Sequence, residues 1–316
     1  MRHQYSGGPP RRASAFYHSG GRGSIAERNA KLILMVGVLG VSASAILVRF
    51  SQAPSGVTAA YRLGWTVLLL LPVVLLRCRA ELRRVTARDL VLCGASGVLL
   101  ALHFLTWFES LKRTSVASST VLVSTEVIFT AMGFALFLHG KIPRLGVWAI
   151  LLSFGGSALL ALSGGGGAGE LSGNLLALAT ASAAAVYTLI GRIQRGHLFT
   201  TVYTFLTYLA CFLTLLLGTA AAGTPLTGYG GREWLIGLAL AVLCTLLGHS
   251  LFSWCLKYLS PSYVSAAKLC EPVFSSLAAI PLFGEVPGPL QLAGGAAVLG
   301  AVLLYTWAER EKTPAG

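Results

Sequence analysis

Charged residues are scarce in this chain of 316 residues, at 11%, whereas hydrophobic residues make up 55%. Soluble domains carry roughly 25% charged residues, so the composition excludes an ordinary soluble protein and indicates a membrane protein. Apolar runs of about 20 residues, the length that crosses a bilayer as a helix, recur along the chain. We count ten such spans, at residues 30–49, 56–76, 89–110, 114–138, 145–163, 173–190, 199–219, 233–256, 261–283 and 289–308.

Motifs for catalysis and for metal binding are lacking as well. The sequence contains no Walker A motif, no HExxH and no Gly-x-Ser-x-Gly elbow. The six cysteines form no CxxC pair and mostly lie inside the spans, which argues against a disulfide framework and a zinc site. We therefore predict that the chain is not an enzyme and has no catalytic residue, metal or cofactor. Uphill transport would then depend on an ion gradient or on exchange.

The positive charge is distributed unevenly along the chain. A net charge of +13 would favour a nucleic-acid partner in a soluble protein. With the N-terminus in the cytoplasm, however, most of the 24 Lys and Arg fall on the cytoplasmic side, as the positive-inside rule requires. We predict a multi-pass protein of the inner (plasma) membrane with both termini in the cytoplasm and no nucleic-acid partner.

The chain contains an internal repeat. At a shift of 145 residues the fourth span overlays the ninth, and Glu126 meets Glu271. Five spans form each copy, so the second copy must cross the membrane in the opposite sense to the first. We predict an all-α membrane protein of ten transmembrane helices arranged as two inverted five-helix repeats, residues 29–165 and 166–308. Residues 1–28 are predicted to be a disordered cytoplasmic tail, and residues 309–316 a C-terminal cytoplasmic tail.

Small residues recur at four-residue spacing on the last span of each repeat. Such stripes allow two helix backbones to approach closely, and we expect these spans to be structural. The stripes consist of Ala149, Ser153 and Ser157 on the fifth span, and of Ala293, Ala297 and Ala301 on the tenth.

The segments SASAILVRFSQAPSGVTAAYRL, AVYTLIGR and LSPSYVSAAKLCEPVFSSLAAIPLFGEVPGPLQLAGGAAVLGAVLLY resemble the EamA repeats of the drug/metabolite transporter superfamily. The resemblance covers residues 30 to 308. It implies ten helices, cytoplasmic termini, peripheral fifth and tenth helices, and a central cavity that opens alternately to either side. The Gly284–Glu285 turn belongs to this pattern, and we expect Glu285 to cap the N-terminus of the tenth helix.

Two acidic residues stand near the middle of apolar spans. Glu126 has no cation three or four residues away, so an ionised Glu126 needs a partner on another helix, an ion or a solute; a protonated carboxyl is the alternative. Glu271 lies three residues from Lys268, and the two can bind a solute or simply neutralise each other. Pro272 should open the helix locally by freeing the carbonyl of Lys268.

Several further residues are candidates for substrate binding. Arg62, inside the second span, can bind a solute, form an internal ion pair or extend to the interface. His103 and His249 occupy equivalent positions in the two repeats and can relay protons or bond across helices. The aromatic candidates are Tyr61, Trp107, Tyr187, Tyr203 and Trp254.

These features predict a secondary-active transporter, an exporter of small organic metabolites such as amino acids, working by alternating access around a midplane cavity. Its expected partners are a small-molecule solute, membrane lipid and a coupling proton or ion. The alternative is a membrane-embedded enzyme or lipid scramblase that acts on lipid headgroups. By symmetry and by the cost of exposing charge to lipid, Glu126 and Glu271 should share one cavity with Arg62 and Lys268.

Overall fold

The computed structural model describes residues 25–137, 142–163, 168–194, 198–249, 251, 255 and 267–310, and this part of the chain is helical without any strand. The helices are α1 (Ile25–Phe50), α2 (Ser55–Arg77), α3 (Arg79–Leu82), α4 (Ala87–Arg113), α5 (Val116–Val123), α6 (Glu126–Phe137), α7 (Arg144–Ser163), α8 (Ala168–Gln194), α9 (Thr200–Ala221), α10 (Gly231–Ala239), α11 (Cys270–Phe283) and α12 (Pro289–Arg310). Helix α10 continues directly as a π-helix over Leu240–His249. The predicted tails fall largely outside the described residues.

The described helices correspond to the ten predicted spans. Eight stretches are long and apolar enough to cross a membrane, and α7 and α11 contain two shorter apolar helices at the fifth and ninth spans. The fourth span is divided into α5 and α6, and the eighth consists of α10 and its π continuation. Many large apolar side chains, among them Leu76 and Leu162, are exposed on the outside of the bundle, where lipid would cover them.

Contacts between the helices follow the twofold pattern that an inverted repeat predicts. Helix α4 packs against α8 and α9, and its repeat equivalent, the π segment with α10, packs against α1 and α2. Helices α5 and α6 pack against α8, as α11 packs against α1. The remaining large contacts join equivalent helices, namely α2 with α9, α5 with α11 and α7 with α12. The two repeats are therefore interleaved rather than placed side by side.

Helix ends carry defined caps. Thr86 and Asp89 form a reciprocal capping box at the start of α4, which satisfies two backbone N–H groups. Gly284 ends α11 in the left-handed conformation (φ 69°), where a residue without a Cβ avoids strain. The expectation that Glu285 caps the tenth helix is wrong. The Glu285 carboxylate accepts from the Val116 N–H at the start of α5 (2.7 Å), and Gln291 accepts from the Gly288 N–H next to α12 (3.1 Å).

The pair α7 and α12 makes its closest approach at glycines. A Cβ on Gly156 would lie 2.9 Å from the Gly294 carbonyl oxygen, and one on Gly294 would lie 2.9 Å from the Gly156 carbonyl oxygen. The predicted stripe on α7 is buried, whereas Ala293 on α12 is exposed. The structural role expected for these spans therefore depends on glycines that lie beside the alanine and serine stripes.

We expect Gly156→Ala to lower the stability of the protein by about 1–3 kcal/mol, because the added methyl group meets backbone atoms that cannot move aside. Gly155→Ala is the matched control, since a Cβ on Gly155 meets no described atom within 4 Å. Thermal unfolding of the two purified variants beside the wild type measures the difference. Equal midpoints for the two variants would contradict the close packing of α7 on α12.

Candidate functional site

Both mid-span glutamates lie immediately after a break in a helix. Glu126 is the first residue of α6, which follows α5 after Ser124 and Thr125. Glu271 lies in the first turn of α11, which begins at Cys270 after a turn residue, Leu269. The two breaks are related by the repeat shift of 145 residues. Interrupted helices at equivalent positions of two inverted repeats are typical of transporter binding sites.

The break in the fourth span has a local cause. The Ser124 hydroxyl donates to the Thr120 carbonyl (3.0 Å), and the Thr125 hydroxyl donates to the Leu122 carbonyl (2.6 Å). Side chains of this kind compete with the backbone N–H groups for carbonyls and favour the end of a helix. Pro272 indicated the opening in the ninth span from sequence. The neighbouring serine and threonine were the signal for the opening in the fourth span, and sequence reasoning missed it.

Glu126 contacts the second repeat. Its Oε1 accepts a hydrogen bond from the Thr188 hydroxyl of α8 (2.8 Å). The carboxylate also lies within electrostatic range of His103 and Glu271. Since Glu126 is half-buried, it combines a fixed position with access to surrounding space.

His103 is held on α4 beside aromatic rings. Its Nδ1 lies 3.3 Å from the Thr180 carbonyl oxygen of α8, and its ring centroid lies 6.1 Å from that of Trp107. The Trp107 side chain is buried, and its Nε1 has no hydrogen-bond partner within the described part of the chain. Burying an indole N–H without a partner is unfavourable, because the group has lost its hydrogen bond to water.

Arg62 is a buried cation fixed from three helices. Its side chain is 2% exposed, its Nε donates to Thr245 (2.9 Å) and its Nη1 donates to Ser44 (3.1 Å). The guanidinium carbon lies 4.4 Å from the centroid of the Phe104 ring, a cation–π arrangement. Arg62 does not extend to the interface, which was one of the alternatives. Thr245 belongs to the π-helix. π-Helices are rare in proteins, and those that occur are frequently found at functional sites.

Glu271 belongs to the second repeat and links that repeat to Arg62 and Glu126 of the first. It lies within electrostatic range of Lys268, Glu126 and Arg62. His103 in turn interacts electrostatically with Glu126 and Arg62. We call these five residues, listed here with their positions, the central charged cluster: Arg62 (α2), His103 (α4), Glu126 (α6), Lys268 just before α11, and Glu271 in the first turn of α11. Arg62 is buried, the glutamates are half-buried and Lys268 is exposed.

The tyrosine candidates occupy different places. Tyr187, one residue before the Thr188 that binds Glu126, packs against the main apolar core, a cluster of buried side chains that includes Leu63, Phe108 and Cys211. Tyr61 donates to the Leu226 carbonyl (2.6 Å) and stacks on Trp234 with ring centroids 4.0 Å apart, in a separate apolar cluster. Tyr203 is buried with its hydroxyl 2.8 Å from the Ser96 hydroxyl. The structure thus does not bring Tyr61 or Tyr203 into the central charged cluster.

Two further candidates are only partly described. The π-helix ends at His249, so its backbone position is known, and Trp254 lies outside the described residues.

One end of the bundle is tied together by Arg49 and Glu285; we call it the Arg49 end. The Arg49 guanidinium on α1 pairs with the Glu285 carboxylate (2.5 Å) and also donates to the Leu111 carbonyl near the end of α4. Glu285 holds the N-terminus of α5 through Val116. A cavity of about 240 Å³ lies beside this ion pair, lined in part by Glu285, Ser276 and Gln291. Sequence reasoning missed the role of Arg49.

A bundle of ten spans built from two inverted repeats, with ionisable residues gathered at equivalent helix breaks, defines the class of membrane transporters. The EamA-like transporter family matches the chain over residues 29–162 and 171–307, which is most of its length. The chain therefore belongs to the EamA-like transporter family. This confirms the predicted fold class, ten helices in two inverted five-helix repeats, and the multi-pass membrane location.

Individual relatives are more distant. The chain is similar to the pseudopaline exporter CntI of Pseudomonas aeruginosa strain UCBPP-PA14, with 25% identity over 208 residues that cover 66% of this chain and 72% of the relative. The same exporter from strain PAO1 matches to the same extent. A solved structure described only as the crystal structure of a protein shares the fold, with a TM-score of 0.60, 20% identity, and coverage of 90% of this chain and 99% of its own.

Proposed function

We propose that this transporter exports small organic metabolites that carry both an amino group and a carboxylate, such as amino acids, and that the solute binds at the central charged cluster. The observation that carries the proposal is the convergence of Arg62, His103 and Glu126 from one repeat with Lys268 and Glu271 from the other. A site holding both signs of charge at equivalent helix breaks is complementary to a solute that holds both signs as well.

The individual groups have distinct roles in this proposal. Lys268 and Arg62 attract the solute carboxylate, and Glu126 and Glu271 attract its ammonium group, in surroundings where opposite charges interact more strongly than in water. In this proposal Trp107 offers its unpaired N–H to the solute, and Tyr187, which packs against the apolar core next to Thr188, is assigned to the apolar part of the site. His103 and the two glutamates are the groups through which a proton or another ion would be coupled to transport.

Alternating access requires that one end of the bundle opens while the other closes. Arg49 and Glu285 join α1 and the end of α11 to α4 and α5, and we infer from these contacts that the Arg49 end is the closed one. By the distribution of basic residues this end faces outwards and both termini lie in the cytoplasm. Relatives named as exporters support an outward direction of transport.

The solute can be found by metabolite profiling of spent medium from cells with and without the protein. We expect one or a few amino-containing carboxylates to accumulate outside the expressing cells, and those cells to resist toxic analogues of the same compounds. An expression-matched control carries Glu126→Gln. Unchanged medium together with altered membrane lipid composition would contradict the proposal and favour action on lipid headgroups.

A further inference from the structure

The connection from α2 to α4 carries an unusual concentration of arginine. Five arginines fall within the twelve residues from 77 to 88, and all five side chains are exposed. Other loops predicted on the same side carry only pairs, such as Arg192 and Arg195. We call this group the arginine patch; it consists of Arg77, Arg79, Arg83, Arg84 and Arg88.

Neighbouring acidic residues leave most of this charge uncompensated. Glu81 approaches Arg84 only at 3.9 Å, and the Arg84 side chain remains 77% exposed. A contact this long between accessible groups contributes little. Asp89 is buried and accepts hydrogen bonds from Thr86 and Gln194. The arginine patch therefore presents nearly its full charge to its surroundings.

The patch lies where the apolar surface of the bundle ends. Leu76, directly before Arg77, is 83% exposed, and Val91, three residues after Arg88, is 70% exposed. In a membrane-spanning bundle, exposed apolar side chains of this size face acyl chains. Arg77, which follows Leu76, and Arg88, which precedes Val91, are thus placed at the level of the lipid headgroups.

The residue type indicates what the patch binds. Orientation in the membrane depends on positive charge alone, and lysine supplies it as well as arginine does. A guanidinium additionally binds phosphate through two parallel hydrogen bonds, which an ammonium group cannot form. We propose that the arginine patch is a binding surface for the phosphate groups of anionic phospholipids in the leaflet that it faces.

Lipid binding at the arginine patch does not depend on which solute is carried, and it would couple the lipid mechanically to the transporter. The patch joins the ends of α2 and α4, the helices that carry Arg62 and His103. Lipid bound across Arg77 and Arg88 would hold these two ends together, and would restrain the helices that position the central charged cluster.

The test is native mass spectrometry of the full-length protein with phosphatidylglycerol and phosphatidylcholine. Two triple variants are compared, in which Arg83, Arg84 and Arg88 are all replaced by glutamine or all by lysine. Each basic residue at an anionic surface contributes about a fivefold gain in binding. We expect the wild type to retain phosphatidylglycerol preferentially, the glutamine variant to lose at least about tenfold in affinity, and the lysine variant, which keeps the charge and the topology, to lie between them.

The double variant Arg113→Gln/Arg232→Gln is the control for loss of arginine elsewhere on the surface, because both arginines are exposed at the Arg49 end. Its phosphatidylglycerol binding should equal that of the wild type. Equal retention of the two lipids by the wild type, or unchanged binding by the glutamine variant, would overturn the proposal. Phosphatidylglycerol binding by the lysine variant that equals that of the wild type would overturn the role of the guanidinium group. Displacement of the lipid by millimolar inorganic phosphate would overturn the lipid as the ligand and indicate a soluble phosphate compound instead.

Discussion

Glu126→Gln is expected to reduce solute transport by about tenfold to a hundredfold while the protein still inserts and folds. The variant loses a charged interaction with the solute, and hydrogen bonds to charged groups contribute about 1.5–3 kcal/mol. Glutamine keeps an oxygen that can accept the bond from the Thr188 hydroxyl, so the local structure is retained. We therefore expect the stability to change by less than about 1 kcal/mol.

Transport per molecule of inserted protein and the thermal midpoint of the purified protein separate a binding role from a structural one. Glu170→Gln, the same chemical change in the first turn of α8, is the control and should transport as the wild type does. Wild-type flux in the Glu126 variant would show that the carboxylate does not bind solute. Loss of insertion or a large fall in the midpoint would show that its role is structural.

Arg62→Gln is expected to lower the stability by about 3 kcal/mol and to abolish transport. The substitution removes a buried cation from the electrostatic range of Glu271 and from the face of the Phe104 ring, and each hydrogen bond lost by a charged group typically costs about 1.5–3 kcal/mol. It also removes the hydrogen bonds to Thr245 and Ser44. Thermal unfolding measures the change, with the exposed Arg232→Gln as a control that should stay within about 0.5 kcal/mol.

A double variant tests whether the charge is responsible. If Arg62 stabilises the protein by compensating Glu271, then Arg62→Gln/Glu271→Gln should be more stable than the sum of the two single variants predicts, because both charges are removed together. Additive effects would mean that Arg62 acts through its packing on Phe104 and its hydrogen bonds alone.

The sequence predicted the parts of the fold that follow from length and repetition. Apolar runs long enough to cross a bilayer located the spans, and the shift that superimposes Glu126 on Glu271 identified the inverted repeat. The same operation explains why these glutamates, far apart in the chain, interact in the structure. The free-energy cost of exposing a charged side chain to lipid was the further reason for placing Arg62 and Lys268 beside the two glutamates.

Other features depend on contacts that no local pattern contains. The Gly284–Glu285 turn was recognised from the sequence. The helix that Glu285 caps is α5, however, and this depends on the packing of α5 beside α11. The π-helix that places Thr245 against Arg62 has no signal in a uniformly apolar span. Tyr61 and Tyr203 occupy equivalent positions in the two repeats and were expected at the site. Because the repeats are inverted, however, equivalent residues away from the midplane lie towards opposite ends of the bundle, and these two tyrosines bind other partners there.

The most direct test of the central claim is solute flux in liposomes that contain only the purified protein. Vesicles preloaded with the solute that accumulates in spent medium should exchange it with labelled solute outside, without ATP, and Glu126→Gln should reduce this exchange by at least about tenfold. A fluorescent phospholipid in the same vesicles reports movement of lipid between leaflets. Solute exchange without lipid movement is the result that we predict, whereas lipid movement without solute exchange, or flux that requires ATP, would contradict the account.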